Sequence, residues 1–115
     1  AVPSGMSAAY HLRRLFHAVT VMEPVPMAGC MVRFGIPKYR LPRDVLEAEV
    51  QRILDMGVNL ELNTKVTNIE ESMRDGGFDA AFVAVGAHIS KRAYIPAGES
   101  AHILDALSVL RSMMA

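Results

Sequence analysis

The sequence predicts an α/β fold with a mostly parallel sheet, forming one domain over residues 1–115. Three observations predict it. Segments with helical apolar spacing alternate with short runs rich in β-branched residues. One run, Phe78 to Val85, is apolar at nearly every position, as in a strand covered on both faces. A glycine followed by small residues opens the first helix, and an acidic residue closes the strand after it.

The elements follow in order. Met6, Ala9, Leu12 and Phe16 recur at helical spacing, predicting a helix over Ser4–Phe16, with Ser4 as its cap and Arg13 and Arg14 in solvent. Ala18–Met22, with two valines and a threonine, reads as a buried strand ending at Glu23. From Glu23 to Pro42 the chain holds Gly29, Gly35, Pro24, Pro26, Pro37 and Pro42, which predicts a long irregular loop, the most mobile part of the molecule. Leu46, Val50, Ile53 and Leu54 form one stripe of a helix over Asp44–Met56, with Pro42 before its first turn and Gly57 as its stop. Val58, Leu60 and Leu62 alternate with polar residues as in a half-buried strand, and Thr64–Ile69 reads as another. Asp75-Gly76-Gly77 is a turn signal before the Phe78–Val85 strand, which Gly86 ends. The segment His88–Ser100 is polar, and Asp105–Met113 closes as a helix built on Leu107, Val109 and Leu110.

Composition narrows the function. The chain is 51% hydrophobic and 21% charged, and its 12 basic and 12 acidic residues cancel. Net charge therefore gives no reason to expect a nucleic acid or an anionic membrane as partner. The longest apolar stretch, Ala80–Val85, is far below the roughly 20 residues of a bilayer-spanning helix. No basic region followed by an apolar stretch marks a signal peptide at the start. The single cysteine, Cys30, forms no internal disulfide and fits a reducing cytoplasm.

The opening carries the most chemistry. Dinucleotide-binding folds place Gly-x-Gly-x-x-Gly between the first strand and first helix, with an acid about 20 residues on for the ribose. Gly5 fits the third glycine, and Glu23 lies at the matching distance. On that alignment Val2 occupies the second glycine's place, where a side chain obstructs close approach of a phosphate, and the first glycine and its strand precede Ala1. The expectation is an incomplete Rossmann-like, three-layer fold with its first strand missing.

Longer runs resemble one family. Pro3-Ser4-Gly5-Met6-Ser7-Ala8-Ala9-Tyr10-His11-Leu12 is similar to the Pro-Ala-Gly-Leu-Ser-Ala-Ala-Tyr-x-Leu opening of the FAD domain in the glutamate synthase (NADPH) small-subunit family. His17-Ala18-Val19-Thr20-Val21-Met22-Glu23 resembles that family's second strand. Arg33-Phe34-Gly35-Ile36-Pro37-Lys38-Tyr39-Arg40-Leu41-Pro42 resembles its Arg-Tyr-Gly-Ile-Pro-x-x-x-Leu-Pro signature, the most specific match. Phe82-Val83-Ala84-Val85-Gly86-Ala87 resembles its Ala-Thr-Gly-Ala strand end, with Val85 replacing threonine. The family's Gly-Gly pair reads Ala28-Gly29, with Cys30 after it.

The resemblance implies a fragment of an FAD- and NADPH-dependent oxidoreductase in which reducing equivalents pass from NADPH through FAD to iron–sulfur centres. It implies FAD-cradle roles for Ser4 and Gly5 at the pyrophosphate, Glu23 at the ribose, Gly29 and Arg33 near the cofactor, and Gly86 by the flavin or the domain crossover. An iron–sulfur domain, the rest of the FAD site and an NADPH domain belong to the family but not to these residues. A larger amidotransferase-type or iron–sulfur subunit is the partner it implies. Cys30 alone holds no four-iron cluster. No catalytic residue emerges: His11, His17, His88 and His102 lack metal-ligand spacing, and no Gly-x-Ser-x-Gly elbow is present. Arg33 and Arg40 serve either a phosphate or the loop itself; Cys30 reads as a buried thiol and Lys91-Arg92 as a solvated pair. The chain alone is expected to be inactive and, with unpaired strand edges, to be a homo-oligomer. The alternative is a folded remnant or interaction module that has lost nucleotide binding.

Overall fold

The computed structural model describes residues 3–87, 89, 91 and 104–114; Val2, His88, Arg92, Pro96, Gly98 and His102 lie outside them, as does the side chain of Cys30. The order is α1 (Pro3–Arg14), β1 (Thr20–Met22), α2 (Cys30–Phe34), α3 (Arg43–Leu54), β2 (Asn59–Glu61), α4 (Ile69–Gly76) and α5 (Ala106–Met114). β1 and β2 are parallel in the register Thr20↔Asn59, Val21↔Leu60, Met22↔Glu61. The fold is therefore α/β with a small two-stranded parallel sheet, its strands joined by a crossover through α2 and α3.

The apolar spacing of α1 does what the sequence predicts: Met6 and Ala9, one turn apart, are buried. α1 packs on α3 and on β1, and α2 packs on α5. Ala28 and Val58 complete the buried apolar residues among those described. No large side chain there is fully buried. The radius of gyration is 17.1 Å, against about 13 Å for a compact chain of this length. Little apolar surface is shared within these elements, so their packing stabilises them weakly.

Five expectations are corrected. Ser4 lies inside α1, which starts at Pro3, a residue suited to a first helical turn. Arg13 is not simply in solvent: its Nε donates to Met56 O at 2.7 Å, satisfying a carbonyl past the end of α3. Residues 64–69 are no strand; Asn68 caps α4 by accepting from Glu71 N at 3.1 Å, and Glu70 and Glu71 favour the helix start electrostatically. The turn signal at Gly77 instead ends α4, in a left-handed conformation.

The fifth correction is the largest. Phe78–Val85 is not a buried strand. Residues 80–87 belong to no helix or strand, and Phe82, Val83 and Val85 are 63%, 58% and 70% exposed. An apolar run of this kind becomes a buried strand only beside a neighbouring strand, and none lies next to it among the described residues.

α1 ends in a double closure. Phe16 N–H donates to Arg13 O at 3.0 Å and His17 N–H to Leu12 O at 3.1 Å. This pair of bonds puts Phe16 at the left-handed position that glycine usually takes, with φ 65°. A Cβ in that conformation costs about 1–2 kcal/mol, partly offset because glycine loses about 0.5–1 kcal/mol more chain entropy. Phe16→Gly is therefore expected to stabilise the chain by roughly 0.5–1 kcal/mol, read as a higher urea midpoint at unchanged slope. A lower midpoint would mean that the ring stabilises the fold by packing.

Candidate functional site

Glu23 follows β1 directly. Its N–H donates to Glu61 O at 2.9 Å and its carbonyl accepts from Thr64 N at 2.8 Å, extending the β1–β2 ladder by one residue. The residue is only 4% exposed. A buried carboxylate at the carboxyl end of a parallel strand is where open α/β sheets bind ligands. α1 packs on β1 and is joined to it through residues 15–19, where Phe16 reverses the chain. In the first turn of α1, Gly5 is half-buried and Ser4 exposed.

The predicted loop Glu23–Pro42 is partly ordered by a short helix, which corrects the expectation of an irregular segment. Gly29 precedes α2 with φ 117° and is buried. A Cβ there would stand 3.0 Å from Leu46 Cδ2 and 3.1 Å from Arg33 Cβ. Arg33, 8% exposed, donates from Nε to Ala28 O at 2.8 Å and pairs with Glu47 Oε1 at 3.3 Å. The buried bond to Ala28 O is the stronger restraint, because Glu47 is largely exposed and water screens the pair. Arg33 N–H also donates to Gly29 O at 3.1 Å. Arg33 thus clamps the 28–33 turn onto α3.

Arg43 holds the other side of the loop, donating from Nη2 to Ile36 O at 3.0 Å. Arg40 is exposed, its guanidinium 6.0 Å from the Tyr39 ring centroid. Met27, Ala28, Arg33, Glu47, Val50 and Leu62 line a shallow cleft of about 320 Å³, near the lower end of small-molecule sites at ~300–1,000 Å³.

Of the predicted site residues, the structure gathers Gly29 and Arg33 into one cluster and buries Glu23 at the sheet end. Gly86 belongs to neither group; it is exposed, with φ 65°, outside any element. Sequence reasoning missed Glu47, Arg13 and Arg43. Their partners lie far along the chain or are backbone carbonyls, so no local spacing marks them. Among the described residues no group of three or more His, Cys, Asp or Glu could hold a metal ion. No described helix is long and apolar enough to cross a membrane. The cluster offers groups that bind and orient, with no nucleophile beside a base among the described side chains.

Known proteins resemble the chain in sequence. No protein-family model matches the chain. The β subunit of the NADP(+)-dependent formate dehydrogenase of Moorella thermoacetica is 45% identical over 93 residues, 78% of this chain and 13% of that protein. The β subunit of the NADPH-Fe(3+) oxidoreductase of Geobacter sulfurreducens is 38% identical over 94 residues, covering 77% and 14%. A putative glutamate synthase [NADPH] small chain of Cereibacter sphaeroides is 33% identical over 109 residues, covering 94% and 26%.

The chain belongs to the glutamate synthase small-subunit family. It spans only 13% to 26% of the length of these relatives, which are subunits of NADPH- or NADP(+)-dependent oxidoreductases by name. The family membership joins the chain to proteins that work as subunits beside others.

Proposed function

We propose that this chain contributes to an FAD cradle in an NADPH-dependent oxidoreductase subunit, within a Rossmann-like domain. The observation that carries the reading is Glu23, buried at the carboxyl end of a parallel strand that follows a helix with Gly5 in its first turn. Gly5 and the first N–H groups of α1 would meet the pyrophosphate, where a helix start favours negative charge. Glu23 would accept from the ribose hydroxyls. Gly29 lets backbone approach without a side chain between, and Arg33 is a positioning residue that holds that backbone through Ala28 O. Ser4 and Gly86 would line the phosphate and flavin ends. When bound, FAD supplies the redox chemistry, taking reducing equivalents from NADPH and delivering them toward iron–sulfur centres of a partner subunit.

A second reading is an interaction module without nucleotide binding. The exposed apolar residues Phe82, Val83 and Val85 favour it. One titration separates the two. The purified chain is expected to be colourless, with no micromolar affinity for FAD. A chain extended at its start by an apolar strand and Gly-x-Gly turn, with Val2→Gly, is expected to turn yellow. Glu23→Ala in that extended chain should weaken FAD at least tenfold, about 1.4 kcal/mol. A colourless extended chain, or an Ala variant that binds equally, would defeat the cradle and leave the module.

A further inference from the structure

The far end of α1 carries a second surface. α1 is 12 residues long, so its C-terminus lies about 18 Å from the Gly5 end. There Phe16 is 89% exposed, Leu15 68% and Leu12 38%. The closure bonds to Arg13 O and Leu12 O fix Phe16 in the left-handed conformation, so the turn holds the ring outward at a position glycine would fill with less strain. An aromatic kept in a strained, solvent-facing position is poor packing and good display.

The charge around it has one sign. The first 22 residues contain no Asp or Glu, while His11, Arg13, Arg14 and His17 surround the apolar end. Arg13 is spent on Met56 O and His17 O. Arg14 lies with its guanidinium 5.6 Å from the Tyr10 ring, and with His11 and Leu15 it lines a recess of about 280 Å³. Asp55, beside the Met56 that Arg13 reaches, accepts from Gln51 Nε2 at 2.7 Å. The recess therefore sets the apolar Leu15 beside the cationic Arg14 and the His11 imidazole. Aromatic and Arg side chains of this kind anchor protein interfaces.

We propose that Leu15 and Phe16, rimmed by His11, Arg14 and His17, dock an acidic segment of a partner protein that carries one aromatic or aliphatic side chain. The apolar side chain packs on the Phe16 ring and enters the recess beside Leu15. Carboxylates on either side face Arg14 and the histidines. Because the surface lies at the opposite end of α1 from Gly5, occupancy leaves the proposed cofactor end open.

Selection of 12-residue peptides from a random displayed library on the 115-residue chain tests this. Phe16→Gly is the informative variant, since it removes the ring while keeping the turn. Selected peptides should combine Asp or Glu with an aromatic or large aliphatic residue. The strongest of them, made synthetically, should lose at least tenfold in affinity with Phe16→Gly and with Arg14→Glu, and should weaken as salt rises. Neutral or basic selected peptides, or equal binding by the Phe16→Gly chain, would overturn the proposal. So would self-association abolished by Phe16→Gly in light scattering, which would make a second copy the occupant. Phe16-dependent binding to vesicles of phosphatidylglycerol and phosphatidylcholine without peptide enrichment would also overturn it.

Discussion

In light scattering at tens of micromolar, the chain is expected to show at least twice its 12.6 kDa monomer mass. The reason lies in the open edge of the sheet. Val19 O accepts from Asn59 N, and Glu23 N donates to Glu61 O, so the odd-numbered residues of β1 face β2. The main-chain groups of Thr20 and Met22 then point to the other edge, where no strand lies among the described residues. The run Ala80–Val85 is uncovered as well, with Phe82, Val83 and Val85 exposed. An open edge and an exposed apolar run are the two features that recruit strands from other copies. Domain swapping is one low-cost route. Replacing Phe82 and Val85 together by Lys should return the mass to the monomer, while Phe16→Gly should leave the oligomer intact. A parent chain that runs as a clean monomer would mean that the sheet closes within one molecule.

Gly29→Val is expected to abolish cooperative unfolding of the chain, seen as loss of a urea transition by circular dichroism. With φ 117°, Gly29 holds a conformation that a β-branched residue adopts only with strain, about 1–3 kcal/mol. The added Cβ would meet Leu46 Cδ2 at 3.0 Å and Arg33 Cβ at 3.1 Å. Overpacking of that kind costs about 1–3 kcal/mol more. A clash with Arg33 Cβ also threatens the Nε bond to Ala28 O, because the arginine must move to relieve it. A chain with four buried apolar residues among those described has little stability to lose. Gly29→Ala should show the same direction with a smaller effect. A Val variant within 0.5 kcal/mol of the parent would show that the 28–33 turn does not support the fold.

Much of the fold was legible because its causes are local. Helical spacing on Met6 and Ala9 identified α1, the stripe from Leu46 to Leu54 identified α3, and β-branched content located β1. α2 was not legible, since its five residues are too few for a periodic signal and follow a proline-rich stretch. α4 was missed for a related reason: Val66 and Ile69 suggest a strand until the Asn68 cap is weighed.

The site divides in the same way. The sequence by itself determined α1, β1 and α3, the acid at the end of β1, the glycine in the first turn of α1 and the family resemblance of the long Arg33–Pro42 run. Each of these is written in residue type and short-range spacing. Only the tertiary structure decided that Arg33 turns inward to Ala28 O and Glu47, that Arg13 closes the end of α3, and that Phe82 to Val85 stands exposed. Those outcomes depend on which distant group comes within reach. An apolar run has the same composition whether or not a strand lies beside it, and an arginine is equally basic facing water or a carbonyl.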